Sequence, residues 1–345
     1  MGSDKLFVRH SFDSKISNSD KYADQRAGQM ASCYRVLKAL CIVLNLVMYT
    51  LLLVMNYASN NKSGILFGNK SLAQMARKYY TEFNPAPWAF EIWKLVNAWT
   101  SLWILYSLTH IRRNVPDVLT PLFFVCFTMA SVFNMAWTQF TSWDIINPAT
   151  GFVFAILIFL YATLFCSYSG LYKQRYYIRR SEFWFIHLFL NNGIAVYATW
   201  VTVAALRSLA LNMTYRHGIR QEYAVTTVLG ILALWMVIFF ILENTLFKEH
   251  LLYTLTVYPV LIWAFVTSVI FNLKRVSRTN NALMEVLLAV SCTFFVGKIF
   301  LLIWNVVRRN REIRAAADIT MSEMPKTDQQ HEKYTDKSEG REVFV

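Results

Sequence analysis

The sequence predicts an all-α polytopic membrane protein of about eight transmembrane helices, and three observations carry that prediction. Of the 345 residues, 56% are hydrophobic. Only 16% are charged, against roughly 25% in a soluble domain. Several apolar runs exceed the roughly 18–20 residues that cross a bilayer. These runs are continuous rather than alternating, which argues against a transmembrane barrel.

Taken in order, residues 1–34 form a polar N-terminal segment, rich in Ser, Asp and Lys, expected to be poorly ordered and cytosolic. It lacks the apolar stretch of a signal peptide. The first span runs over 35–57. A polar loop at 58–87 follows, with Asn-x-Ser sequons at Asn61 and Asn69. Pro85 and Pro87 end that loop, because proline fits only the first turn of a helix. The second span, 88–110, carries Trp88, Phe90, Trp93, Trp99 and Trp103, and closes in HIRRN. Trp88 and Trp93 lie near its water end, where tryptophan is favoured as an interfacial anchor. Trp99 and Trp103, four apart and deeper, share a helix face.

Pro116 precedes the third span, 117–138, and the short loop FTSWDIINP leads to the fourth, 149–170. A basic connection, LYKQRYYIRR, leads to the fifth, 183–211, which ends at a third sequon on Asn212. Asn191, Asn192 and Gly193 interrupt that span. Three more spans follow at 223–244, 251–272 and 281–306. The tail 307–345 is charged, has no apolar face and is expected to be disordered and cytosolic. Eight spans place both termini on one side. A cytosolic N-terminus then puts all three sequons on the glycosylation-competent side, favouring the secretory pathway or plasma membrane over mitochondria. The acidic residues of the N-terminus suit a mitochondrial transit peptide poorly.

The net charge of +13 sits at the ends of apolar runs, for example at Arg112 and Arg113 and at Arg308 and Arg309. Charge placed there orients spans and meets anionic lipid of the bilayer; it gives no case for nucleic acid. The five cysteines form no CxxC pair, so neither a disulfide framework nor a metal site is indicated.

Residues 35–213 carry an ordered set of landmarks: NPAPWAFEIWKLVNAW into the second span, FNMAW in the third, and YATWVTVAALRSLALN in the fifth. This order resembles the TspO family, the tryptophan-rich sensory proteins that include the mitochondrial translocator or peripheral benzodiazepine receptor. Asn134 and Trp137 match its third span, and Trp200, Ala204, Leu211 and Asn212 its fifth. Asn97 stands where the family often has tyrosine, and residues 214–306 add three spans to the family's five. The resemblance implies a five-helix bundle with an aromatic pocket capped by the first loop. It also implies a hydrophobic partner such as a porphyrin, haem or a sterol, and it allows a homodimer.

An aromatic pocket in a membrane suits a flat apolar ligand, with a few polar groups fixing its orientation. Trp99, Trp103, Trp137 and Trp200 are the candidate wall, and Asn97 and Asn134 the candidate orienting groups. The duller alternative is helix packing, with Asn bonding across helices. Glu91 and Lys94, three apart, read as an interfacial pair. Lys298 in the eighth span is either functional or snorkels to the interface. No P-loop, nucleophile elbow, HExxH or paired carboxylates are present, so no catalytic role is expected. Three readings follow: a binder, sensor or carrier of a planar hydrophobic molecule; a small-solute transporter marked by Asn191, Asn192 and Lys298; or a glycosylated scaffold with a cytosolic tail.

Overall fold

The computed structural model describes residues 3–60, 74–75, 78–113, 116–272 and 278–323. The predicted spans fall on α1 (Ser3–Asn60), α2 (Ile92–Thr109), α3 (Pro121–Ser142), α4 (Ile146–Gln174), α5 (Arg180–Tyr215), α6 (Gln221–Asn244), α7 (Val257–Asn272) and α8 (Arg278–Glu323). Six of them are long and apolar enough to cross a bilayer, α2 and α7 being the exceptions. In α2 the apolar content is diluted by tryptophan and by Lys94 and Asn97; α7 has 16 residues. The chain is an integral, multi-pass, all-α membrane protein in contact with lipid. It divides into two compact units, residues 1–292 and 293–345. The described part of the second is the C-terminal stretch of α8.

Helix α5 is the hub of the first unit. It packs against α2, α4, α6 and α7, and 78% of its apolar window is buried, against 28% for α1 and for α6. A helix apolar on every side belongs in the middle of a bundle, and one with a single buried stripe at its edge. Polar contacts fix the register between helices: Asn45 of α1 donates to Thr128 Oγ1 of α3 at 3.2 Å. Such bonds hold helices together where lipid leaves no hydrophobic drive between them.

Three local features differ from or refine the sequence reading. The polar N-terminal residues are helical from Ser3, and α8 continues to Glu323 rather than ending in a disordered tail at 307. Propagating a helix from a formed span is far easier than nucleating one, and an Arg308–Glu312 pair spaced i,i+4 at 2.8 Å supports the extension of α8. The second span opens as a 3-10 turn over Pro87–Glu91 before α2 begins. Finally, the interruption of α5 is a π-helical segment, Ile186–Asn191. The backbone N–H of Asn192 reaches the His187 carbonyl, and its side-chain amide donates to the same oxygen at 2.7 Å.

An aromatic cavity as candidate functional site

The strip from Tyr79 to Ala89 is pinned between two helices. Toward α7, the Ala86 N–H donates to the Thr267 carbonyl at 3.2 Å. Asn272 donates to the Asn84 carbonyl at 2.9 Å and accepts from the Tyr80 hydroxyl at 2.7 Å. Trp263 donates to the Ala89 carbonyl at 3.2 Å, and its ring meets Trp88 edge-on at 5.2 Å. Toward α5, Arg207 Nε donates to Asn84 Oδ1 at 2.5 Å and Nη2 to the Tyr79 carbonyl at 3.4 Å. The Tyr215 hydroxyl donates to the Tyr80 carbonyl at 2.9 Å. A proline-containing strip satisfies little of its own backbone; these side chains and the Thr267 carbonyl supply partners.

Held this way, the strip delivers Phe90 and Trp93 to a cavity completed by Trp137 of α3 and Trp200 of α5. Phe90 meets Trp200 edge-on at 6.2 Å, and Trp93 lies 6.1 Å from Trp137. The cavity is about 60 Å³. That admits a few waters and is far below the roughly 300 Å³ or more of a small-molecule site, so a larger guest requires its walls to move. Thr141, Thr150 and Ser208 add hydroxyls to the lining, and Asp144 and Arg207 add charge. The indole nitrogens of Trp93 and Trp200 have no hydrogen-bond partner among the described residues. Asp144 sits in the α3–α4 turn at φ 72°, a backbone region Asp tolerates, and pairs with Lys78.

Of the six candidate ligand residues, Trp137 and Trp200 border the cavity, as do the family landmarks Ala204 and Leu211; Trp99, Trp103, Asn97 and Asn134 lie outside its lining. Trp103 is fully buried between Phe123 and Phe127 of α3. Trp99 lies over Gly193 of α5, so close that a Cβ there would stand 2.8 Å from the indole. The Asn97 carbonyl accepts from Tyr49 and Ser101. Asn134 donates to the Tyr197 hydroxyl, one layer behind Trp93, which meets Tyr197 edge-on at 5.8 Å. Phe90, Trp93 and Arg207 were not among the candidate ligand residues, although one charge inside the apolar stretch AALRSLAL was a legible signal.

Asn61 and Asn69 lie outside the described residues. Asn212 is helical, its amide 3.4 Å from Thr150 Oγ1. Glu91 and Lys94 form their predicted exposed pair. Asn192 also donates to the Tyr253 carbonyl at 2.9 Å and accepts from the Leu255 N–H at 2.9 Å, joining α5 to the start of α7. Lys298 is buried.

At the other end of α2, Lys38 pairs with Asp117 at 2.5 Å and Arg113 with Glu182. His110 is buried beside them, with neither ring nitrogen hydrogen-bonded among the described residues. Burial, reinforced by the charges of Lys38 and Arg113 and opposed by Asp117, pushes its pKa down to about 4.

Comparison with protein families gives a match to the family described as TSPO-like protein over residues 42–307. The match takes in the last three spans as well as the first five. No curated protein and no solved structure matches the chain.

Proposed function

Because the chain belongs to the TSPO-like protein family, we propose that it binds a planar hydrophobic molecule, a porphyrin or a sterol, in the cavity between the proline strip, α3 and α5, and so senses or carries it. The observation that carries this reading is the convergence of Phe90, Trp93, Trp137 and Trp200 on one void. Aromatic faces stack on flat apolar guests, and orphan indole N–H groups offer donors to a guest oxygen. The role proposed is binding and not catalysis.

The test is quenching of intrinsic tryptophan fluorescence in detergent-solubilised protein, titrated with protoporphyrin and with a fluorescent sterol. Saturable quenching that a Trp93→Leu/Trp137→Leu double variant loses supports the reading. Linear quenching unaffected by those substitutions means partitioning into the micelle and overturns it. The transporter reading drew on the break in α5, but Asn192 there is tied by its side chain to His187, Tyr253 and Leu255. That arrangement suits a fixed joint better than a moving one.

A further inference from the structure

We propose that the cavity selects a guest bearing a carboxylate, and that Arg207 is the residue that holds it; the proposal rests on the cavity being the binding site. A guanidinium has five N–H donors. In Arg207 the Nε proton goes to Asn84 and one Nη2 proton to the Tyr79 carbonyl. Both Nη1 protons and the second Nη2 proton have no acceptor among the described residues. These are the groups that grip a carboxylate in a two-pronged hydrogen bond.

The charge balance points the same way. Asp144 shares the lining, but it pairs with Lys78. Among the described residues no carboxylate pairs with Arg207. The tyrosine rings nearby, Tyr79 and Tyr215, supply no formal charge. One unbalanced cation in an aromatic, largely apolar wall calls for one negative charge carried on an apolar body. Arg207 also orients the guest: with its Nε and Nη2 anchored to the strip, the acidic group is fixed at the Arg207 end and the flat body lies among Trp93, Trp137 and Trp200.

The experiment compares protoporphyrin, which carries two carboxylates, with its dimethyl ester, which has the same ring and no charge. Both are titrated by tryptophan quenching into the full-length protein and into Arg207→Gln. The acid binds the wild type at least about tenfold more tightly than the ester, and Arg207→Gln removes that preference, read as the acid-to-ester ratio so that any loosening of the strip counts equally for both guests. Equal saturable binding of acid and ester by the wild type overturns the carboxylate assignment and leaves the cavity reading standing. Saturable quenching by neither overturns both. If Arg207→Gln weakens acid and ester alike, Arg207 only braces the strip and the proposal falls. Should that variant fail to fold, the acid-to-ester ratio of the wild type decides alone.

Discussion

The indole of Trp93 on α2 lies 6.1 Å from that of Trp137 on α3, inclined at 41°, and both border the cavity. Neither is replaceable by an aliphatic side chain if a flat guest stacks there. Trp93→Leu and Trp137→Leu are each expected to weaken protoporphyrin binding about tenfold, the scale of a lost aromatic contact with part of its buried area. Trp103→Leu is the contrast. Its ring is enclosed by Phe123 and Phe127, so it should lower thermal stability and leave the affinity of folded protein unchanged. Equal loss of affinity in all three variants would remove Trp93 and Trp137 from the site.

Gly193 is tolerated on α5 because the Trp99 ring occupies the space a side chain would take. Gly193→Ala is expected to destabilise the protein by about 1–3 kcal/mol, the usual cost of overpacking. Adding Trp99→Leu should recover part of that loss. Thermal unfolding of the single and double variants in one detergent measures the coupling; purely additive effects would show that the two residues do not share the space.

Asn192 satisfies backbone groups on two separate elements, at His187 and at Tyr253 and Leu255. Asn192→Ala leaves the last two, which are half-buried, without that partner, at no more than about 1–3 kcal/mol each. The expected readout is faster hydrogen exchange at 253–257 and at the π-helical segment together. Exchange that rises in only one of them would mean that Asn192 does not join them.

His110 gives the stability a pH dependence of known sign. Its pKa of about 4 in the folded protein lies below the ordinary 6.5. Between those values the unfolded chain binds the extra proton, so stability rises with pH across that window and is flat above it. The full effect is on the order of 3 kcal/mol. Other ionisable groups contribute equally to both proteins, so the test is a comparison. Unfolding of wild type and His110→Leu from pH 7 to pH 4 should diverge, the wild type losing more. Parallel curves would contradict the assignment.

The bundle was legible because its signal is local. Apolar runs and the positions of Pro85, Pro87 and Pro116 place helices without any knowledge of their neighbours. Half of the aromatic wall was legible as well, since Trp137 and Trp200 follow from the family resemblance. What stayed hidden depends on contacts between residues far apart in the chain. Trp93 read as an interfacial anchor because it lies near the start of the predicted span at 88. Only the strip folded back across α5 and α7 brings it inside. Arg207 went without a role for the same reason: its partner Asn84 is 123 residues away. Trp99 and Trp103 shared a face as their spacing required, but that face meets Gly193 and the α3 phenylalanines, not the void.

The bonds from Asn84, Ala86 and Ala89 to Asn272, Thr267 and Trp263 have a consequence for how this protein can change over generations. A stop after the fifth helix would strip one side of the strip's support, so the later helices cannot be shed or exchanged as a cassette. Asn84 and Asn272, 188 residues apart, are bound to drift as a pair. In relatives that keep the strip, a change at one is expected alongside a compensating change at the other.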